Sequence, residues 1–272
     1  MSEADRERIG REFYDSSDYF EGRESEHLVD HDSPFQRYRV AKVLEIHDPG
    51  PAARVVDLGC GWGTFAFALA DRVGDIVGVD FSQRSIDICD RRLAEDPRKN
   101  LSFLCVDAGE TGLEGSSFDV ALAADLFEHL YPDDSARVAR EAFRLLRPGG
   151  RFVTWTPHRG HILEVLKNRD ILLKRDVSHV DYKSMGAMRR LLSDAGFDIE
   201  RAYYAESHVP VLRNAERLLQ GMVPLLRRRI AVLGRKPDAP AASPDGGEGE
   251  PKGKGSGKAT GSAGKPKASG AA

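Results

Sequence analysis

Four aspartates in the first half of the sequence each stand at the end of a short apolar segment typical of a buried β-strand. They are Asp57, Asp80, Asp107 and Asp125. Because the carboxyl ends of successive parallel strands meet at one edge of an α/β sheet, these carboxylates would face a common ligand. Asp80 lies about twenty residues after a glycine-rich turn, a spacing typical of an acidic residue that binds ribose hydroxyls. Packing of the core alone does not explain why each of four successive predicted strands ends in an aspartate.

The glycine-rich turn follows the first of these segments. Gly59, Gly61 and Gly63 alternate directly after the apolar residues 55–58, and a helical apolar pattern begins at Thr64. Glycine has no Cβ, so it can adopt positive φ and lets a ligand lie against the backbone. The first helical turn adds unpaired N–H groups for an electron-rich ligand. A plain tight turn is the alternative, and the aspartates at the strand ends favour the ligand site.

Further ionisable side chains gather after the fourth strand, where Asp125 is followed by Leu-Phe-Glu-His. His129 is a candidate general base for an acceptor hydroxyl, since imidazole exchanges protons near neutral pH. The alternative is that Glu128 and His129 only cap and orient the following loop. His179 is a further candidate for contacting a substrate, and its alternative is a cap or a backbone hydrogen bond.

Strands and helices alternate around these residues. The predicted strands cover residues 54–58, 76–80, 101–106, 118–124, 151–155, 197–204 and 229–234. The predicted helices cover residues 3–20, 34–46, 65–73, 83–93, 133–146, 184–195 and 211–221. This alternation predicts a doubly wound, Rossmann-like α/β fold with right-handed crossovers and helices on both faces of the sheet.

Five motifs, in this order, resemble the class I S-adenosylmethionine-dependent methyltransferases, and among them the quinone-biosynthesis type. They are DLGCGWG at 57–63, GVDFS at 78–82, CVDA at 105–108, FDVALAADLFEHL at 118–130 and LLRPGGRFV at 145–153. The resemblance spans roughly residues 13–237. It implies a seven-stranded sheet with six parallel strands and an antiparallel last strand, and it implies S-adenosylmethionine as the cofactor.

The resemblance also implies a role for each motif residue. Asp57, Gly59, Cys60, Gly61 and Gly63 would wrap the methionine end of the cofactor. Asp80 would hold the ribose hydroxyls, Phe81 would pack on the adenine, and Asp107, followed by Ala108, would accept from the adenine amino group. Asp125 and Leu126 would line the floor near the sulfonium.

Methyl transfer from a sulfonium is an in-line displacement, in which the protein mainly aligns the acceptor and excludes water. We expect a small-molecule acceptor with an oxygen nucleophile, served by His129, Glu128 and His179, while nitrogen and carbon acceptors stay open. Asp125, Glu128 and His129 also resemble an acid-x-x-Glu-His arrangement of quinone-precursor O-methyltransferases in which a divalent metal assists. Neighbours in sequence need not converge in space, so we predict no metal site.

The segment 156–183 is longer than a bare strand-to-helix connection, and loops at this edge of a sheet determine acceptor specificity. His158 and His161 are candidates for contacting the acceptor. The segment is also basic through Arg159, Lys167, Arg169, Lys174 and Arg175. These charges indicate an anionic acceptor or a lipid surface, and a solvated helix face explains them equally well.

Two other functions compete with methyl transfer. A nicotinamide-dependent oxidoreductase would carry a third glycine three residues after the second, whereas the glycines here fall at 59, 61 and 63. A non-catalytic relative that binds the cofactor as a partner subunit would keep the same motifs, so the sequence leaves it open. A nucleic-acid methyltransferase is disfavoured because Asp-Leu-Phe-Glu replaces the Asn/Asp-Pro-Pro-aromatic tetrad after the fourth strand.

Composition agrees with one α/β domain and a cytoplasmic location. The 272 residues suffice for a sizeable core, and the net charge of −3 gives no basic field for a nucleic-acid partner. The three cysteines cannot all pair and lie in turn, helix and strand patterns, so we expect reduced thiols. The charged N-terminus lacks an apolar signal segment, and no apolar run is long enough for a transmembrane helix.

We predict three parts: an N-terminal helical cap or lid (1–50), the cofactor-binding domain (51–236) with a substrate-side insertion (156–183), and a disordered tail (237–272) whose composition cannot form a core. In the cap, Tyr14 or Tyr19 lies over the cofactor as part of a lid, or both belong to an aromatic staple with their neighbouring phenylalanines.

Residues 211–233 place apolar side chains beside arginines 227–229. This pattern predicts either peripheral membrane contact or a docked helix followed by the last strand. The breaks at Gly221 and Pro224 favour the docked helix.

Overall fold

Seven strands form the sheet at the centre of the computed structural model, which describes residues 9–16, 33–168, 177–207 and 210–238. They are β1 (Arg54–Leu58), β2 (Asp75–Asp80), β3 (Leu101–Cys105), β4 (Phe118–Ala124), β5 (Leu146–Pro157), β6 (Asp198–Ala205) and β7 (Arg229–Arg235). Their order in the sheet is β3-β2-β1-β4-β5-β7-β6. The predicted fold class is confirmed, since β7 runs antiparallel to β5 and β6 and the other neighbours pair in parallel.

The helices alternate with the strands along the chain. They are α1 (Arg11–Asp15), α2 (Pro34–Ile46), α3 (Thr64–Ala70), α4 (Gln83–Glu95), α5 (Pro132–Leu145), α6 (Ile162–Asn168), α7 (Met185–Asp194) and α8 (Pro210–Leu219), with 3-10 turns at Phe127–His129 and Pro224–Leu226. The predictions for Tyr19, for the basic residues Arg169, Lys174 and Arg175, and for the tail beyond Asp238 lie outside the described residues.

The central strands are largely apolar because both faces of the sheet are buried there, whereas the edge strands β3 and β6 are partly exposed. Successive side chains of a strand point to opposite faces, so Val55 and Val56, both fully buried, belong to two different cores. Val55 packs in the core that contains Trp155, and Val56 packs in the core that contains Phe152. Helices pack on both faces of the sheet and complete these two cores.

The order of strands reverses between β1 and β4, which are neighbours although β2 and β3 lie between them in the sequence. Asp57 of β1 is in register with Gly78 of β2 and with Leu122 of β4. The carboxyl ends of these strands therefore meet on both sides of the reversal, which is where open α/β sheets bind ligands.

Strand β5 is longer than predicted. The sequence predicts a strand only from residue 151, after the Pro148-Gly149-Gly150 turn, but β5 begins at Leu146. The pairing with β4 shifts there, from Phe118 opposite Leu146 to Val120 opposite Arg151. The intervening residues form a bulge in which Gly149 has φ +79°, a conformation that glycine adopts without strain.

Helix α2 has a partly polar buried face, which differs from the prediction. The spacing of Phe35, Tyr38, Val43 and Ile46 predicts that these four side chains face inward. Val43 and Ile46 are buried, but Phe35 and Tyr38 are only half-buried. Three polar side chains, Gln36, Arg39 and Lys42, are buried instead. A charged side chain is rarely buried without a partner, so these residues need partners elsewhere in the fold.

The C-terminal elements follow the favoured prediction of a helix and then the last strand, as α8 and β7. Within the described ranges, no helix combines the length and apolarity that a membrane span requires. Cys60, Cys89 and Cys105 carry free thiols.

Candidate functional site

The glycine turn joins the ends of β1 and β2 through backbone hydrogen bonds. Gly59 N and Cys60 N both donate to Val79 O, at 2.8 and 2.9 Å. Gly59, Gly61 and Gly63 have φ of +71°, +52° and +77°. A Cβ on Gly59 would lie 2.6 Å from Leu126 Cδ1. The turn therefore requires glycine both for its backbone conformation and for its close approach to the end of β4.

Asp57 is a buried carboxylate with an unsatisfied oxygen. Its side chain is 1% exposed, and Oδ2 has no hydrogen-bond partner in the described part of the chain. Burial, with the negative charge of Asp80, raises the pKa of Asp57 to about 7. A buried carboxylate oxygen without a donor is costly, so this position suits a ligand that brings a cation or an N–H group.

Asp80 holds the turn and the start of α4 together. Its Oδ2 accepts from Gly61 N and its Oδ1 accepts from Ser82 N, both at 2.9 Å. Burial raises the pKa of Asp80 above its ordinary value, although the two N–H donors oppose this shift. The carboxylate therefore sits at the edge of the turn, in the position where the sequence predicts ribose recognition.

Tyr14 of α1 reaches across this edge of the sheet. Its ring centroid lies 5.2 Å from that of Phe81, and its hydroxyl lies 3.3 Å from His129 Nδ1. Next to it, Asp15 Oδ1 accepts from Ser82 Oγ at 2.7 Å. Helix α1 thus spans from the end of β2 to the end of β4. Tyr14 also packs on Phe13, with ring centroids 5.2 Å apart, so the lid and the aromatic staple both stay predictions.

Asp107 lies further out. Its carboxylate pairs with Arg137 at 3.0 Å and accepts from Gly109 N at 2.7 Å, and its side chain is 47% exposed. Ala108 is buried beside it. The structure therefore places Asp107 at the rim of the crevice rather than in its depth.

Asp125 is held by two arginines that the sequence pattern did not assign to the site. Arg39 of α2 donates to Oδ2 from Nη2 at 2.6 Å and from Nε at 2.9 Å, and Arg229 donates to Oδ1. Burial alone would raise the pKa of Asp125, but the charges of Arg229 and Arg39 outweigh it and lower the pKa to about 2. Asp125 also has φ +55°, an uncommon value for a residue with a side chain.

Glu128 is buried directly beyond this clamp. It is 1% exposed, and its Oε2 accepts from Thr156 Oγ1 at 2.8 Å. Burial first, and then the charge of Asp125, raise the pKa of Glu128 to about 8. Its backbone oxygen accepts from Val180 N and Asp181 N, which brings the loop that carries His179 to the end of β4.

His129 and His179 meet in consequence, with ring centroids 4.8 Å apart at an angle of 73°. His129 Nδ1 lies 3.2 Å from Ser178 O, and His179 Nδ1 lies 2.7 Å from Tyr182 Oη. One ligand atom each from Glu128, His129 and His179 lies within 4.8 Å of the others, close enough to hold a metal ion. This group differs from the Asp125, Glu128 and His129 arrangement seen in the sequence. His179 replaces Asp125, because both oxygens of Asp125 are bonded to guanidinium groups.

His158 and His161 belong to a second buried group. The His158 ring packs 5.1 Å from that of Tyr204. His161 Nδ1 lies 3.1 Å from Arg228 Nη1, and its Nε2 lies 3.4 Å from Glu216 Oε1. These contacts join α6, α8 and the start of β7 beside the acceptor-side insertion.

Comparison with known families decides the type of domain. Residues 55–150, which contain the glycine turn and the ends of β1 to β4, match a family model described as a methyltransferase domain. Residues 55–150 of this chain are a methyltransferase domain. The resemblance inferred from the five motifs is thereby confirmed.

Curated relatives of the methyltransferase domain are identical to it at about a third of the aligned residues. A demethylmenaquinone methyltransferase from Lactococcus lactis is 36% identical over 102 residues, which cover 36% of this chain and 40% of the relative. A nocamycin O-methyltransferase from Saccharothrix syringae is 35% identical over 120 residues, which cover 43% of this chain and 42% of the relative. The chain therefore matches less than half the length of these two relatives.

A solved structure shows the same fold. The YcgJ protein from Bacillus subtilis superimposes with a TM-score of 0.56 and 18% sequence identity, over 75% of this chain and all of that chain.

S-adenosylmethionine is the cofactor of this domain family, and the residues present fit it. The orphaned Asp57 oxygen suits the ammonium group at the methionine end. The turn at Gly59 and Gly61 exposes backbone next to it, where a Cβ on Gly61 would meet no atom within 4 Å. Asp80 and Phe81 follow at the end of β2, in the order that a ribose and an adenine would require.

Proposed function

We propose that this chain transfers a methyl group from S-adenosylmethionine to a small-molecule acceptor with an oxygen nucleophile. The observation that carries the proposal is that His129 and His179 meet at the end of β4, on the edge where Asp57 and Asp80 end their strands. The O-methyltransferase among the curated relatives supports an oxygen acceptor.

The cofactor roles follow the order of the strand ends. Asp57, Gly59, Cys60, Gly61 and Gly63 hold the methionine end, Asp80 binds the ribose hydroxyls, Phe81 and Ala108 pack on the adenine, and Asp107 accepts from its amino group. Leu126, against Gly59, and the clamped Asp125 form the floor. The bound cofactor supplies a methyl group on a positively charged sulfur, already activated for displacement.

His129 is proposed to remove the proton of the acceptor hydroxyl. If its Nδ1–H donates to Ser178 O, at 3.2 Å, then Nε2 carries the lone pair that can take a proton. His179 lies against the His129 ring and is in turn oriented by Tyr182. With its pKa raised to about 8, Glu128 is mostly protonated at neutral pH, so it leaves no negative charge beside the base.

The proposed parts of the chain surround this site. The domain of residues 51–236 supplies the cofactor crevice, and the cap of residues 1–50 contributes Tyr14 above it. The insertion of residues 156–183 contributes His179 on the acceptor side. Proximity of acceptor and methyl group within such an enclosure can lower the barrier by several kcal/mol, up to about 10 kcal/mol.

Cofactor binding is tested first, by calorimetric titration of S-adenosylhomocysteine into the wild-type chain and two variants. Asp80→Ala should weaken binding at least about tenfold, or about 1.4 kcal/mol, because the ribose hydroxyls lose their acceptor. Asp75→Ala is the matched control, since Asp75 stands at the other end of β2 and pairs with Arg54. Equal affinities of the two variants would contradict the assignment of Asp80.

Turnover is tested with methyl-labelled cofactor and cell extract as the source of acceptors. His129→Ala should lower label transfer by roughly 10²-fold or more, as expected for loss of a general base, without changing the affinity for S-adenosylhomocysteine. His47→Ala is the control, because His47 lies in the groove at the start of β5. Cofactor binding without transfer to any extract component would favour the non-catalytic partner subunit instead.

A further inference from the structure

Five apolar side chains project from the end of α8 and from the segment between α8 and β7. Leu218, Leu219, Met222, Val223 and Leu225, here called the apolar ridge, have 78, 40, 76, 38 and 45% of their surfaces exposed. Outside the ridge, only two other large apolar side chains in the described part of the chain are similarly exposed, Leu104 and Val177. The ridge is therefore a concentration of exposed apolar surface, not the scatter that is normal on a protein.

Helix α8 is inverted relative to an ordinary surface helix. Its Glu216 is fully buried, where Oε2 accepts from Ser207 N. Two residues further on, Leu218 is 78% exposed. Burying a carboxylate is unfavourable and burying a leucine is favourable. Helix α8 nevertheless buries Glu216 and leaves Leu218 and Leu219 exposed.

The chain around the ridge is basic. Residues 210–229 contain five arginines and one glutamate, although the whole chain has a net charge of −3. Arg217, next to Leu218, is 60% exposed and pairs with Glu206 at 2.8 Å, whereas Arg228 and Arg229 are only 15 and 13% exposed. Arg227 donates to the carbonyls of Gln220 and Gly221 and lies over the Tyr204 ring. Apolar side chains flanked by arginines match the interface of an anionic bilayer, where apolar groups insert and cations meet the headgroups.

The ridge is exposed along its whole length. It runs over the end of α8, over Gly221, where an added Cβ would meet no atom within 4 Å, and onto the 3-10 turn Pro224–Leu226. Exposed apolar side chains next to basic residues can insert into the headgroup region of an anionic bilayer. The 3-10 turn leads directly into β7, whose first residue, Arg229, bonds to Asp125.

We propose that the apolar ridge docks this chain on an anionic membrane surface. Docking there brings the lipid close to the end of β4, because only two residues separate the 3-10 turn from Arg229, which bonds to Asp125. The proposal does not depend on methyl transfer, and its test does not use turnover.

The test is co-sedimentation of the full-length chain with sucrose-loaded vesicles. Phosphatidylcholine vesicles are compared with vesicles in which about a third of the lipid is phosphatidylglycerol. The wild type should bind the anionic vesicles, and binding should weaken as the salt concentration is raised, because exposed charges are screened. Failure of the wild type to sediment with the anionic vesicles would overturn the proposal.

Matched variants locate the contact. Leu218→Glu combined with Met222→Glu should reduce the fraction bound by about tenfold, since two apolar anchors are lost and two repulsive charges are added. Leu104→Glu places the same charge on the edge strand β3, where Leu104 is 38% exposed, and should bind like the wild type. Equal loss in both variants would overturn the ridge as the contact.

Two further measurements keep the result interpretable. The affinity for S-adenosylhomocysteine and the thermal midpoint should be unchanged in the ridge variant, which excludes unfolding as the cause of lost binding. Sedimentation velocity tests a second copy of the chain as the occupant. A dimer that the ridge variant abolishes, together with no vesicle binding by the wild type, would assign the ridge to self-association and overturn the proposal.

Discussion

The carboxylate of Asp125 forms ion pairs with two arginine side chains. These two ion pairs explain how the left-handed backbone conformation of Asp125 is held. Arg39 comes from α2 and Arg229 from β7, so the carboxylate connects the N-terminal part of the chain, the end of β4 and the last strand. The sequence predicts Asp125 at the site but neither arginine. An arginine in a helical pattern is ordinarily read as solvent-facing, and only the fold brings residues 39, 125 and 229 together.

Replacing one arginine of this clamp tests its contribution to stability. Arg39→Met should lower the free energy of unfolding by about 2 kcal/mol or more, because a buried carboxylate loses one of its two cations. Arg72→Met is the control, since Arg72 pairs with Asp48 at 3.0 Å but both side chains are about half exposed, and it should cost less than about 1 kcal/mol. Urea denaturation measures both, and equal effects would contradict the clamp.

Glu128 predicts a pH dependence of stability whose sign follows from its raised pKa. Below about pH 4.5 the carboxyl is protonated in the folded and the unfolded chain, so it does not alter the free energy of unfolding. From about 4.5 to 8 the unfolded chain releases this proton while the folded chain keeps it. The free energy of unfolding therefore falls as the pH rises, by at most about 1.4 kcal/mol per pH unit.

Glu128→Gln removes this effect while keeping an acceptor for Thr156. The variant should gain stability relative to the wild type between pH 5 and pH 8, as measured by urea denaturation at several pH values. Glu141→Gln is the contrast, because hydrogen bonds from Arg144 and Thr111 outweigh burial and lower the pKa of Glu141. Its loss of stability relative to the wild type should develop below about pH 4.5 and stay constant between pH 5 and pH 8. A pH-independent difference between Glu128→Gln and the wild type would show that Glu128 ionises normally.

At the scale of elements, α1 is positioned to cover the crevice. Asp15→Ala removes the acceptor of the Ser82 hydroxyl and should weaken S-adenosylhomocysteine binding about three- to tenfold, the worth of roughly one hydrogen bond. Glu12→Ala changes an exposed residue of the same helix and should bind like the wild type. Calorimetry measures both variants. Equal affinities would favour the aromatic staple over the lid.

Most elements could be predicted because their signals are local. Ser184 caps the start of α7 by accepting from Ala187 N, and Gly196 follows its end with φ +104°. The bulge in β5 and the polar face of α2 could not be predicted. Both depend on partners distant in sequence: Phe118 and Val120 for the bulge, and Asp125 for Arg39.

At the scale of the whole molecule, the glycine turn and the strand-end carboxylates made the sheet and the cofactor edge predictable, because parallel strands place their carboxyl ends together. The orientation of α8 could not be predicted. Its leucines and its single glutamate show a helical pattern that ordinarily buries the leucines. Only the buried contacts of Glu216 with Ser207 and His161 reverse that expectation.

The C-terminal boundary gives a prediction for the chain as a whole. All seven strands lie within residues 54–235, and Lys236 Nζ donates to Phe143 O and Leu146 O at 2.8 and 2.7 Å. A chain that ends at Asp238 should keep its thermal midpoint within about 2 °C of full length, where about 1 kcal/mol corresponds to 2–4 °C. A chain that ends at Arg228 is the control and should not fold, because it loses β7 from between β5 and β6. Calorimetric scanning measures both, and a drop of more than about 5 °C in the 1–238 chain would mean that residues after 238 stabilise the sheet.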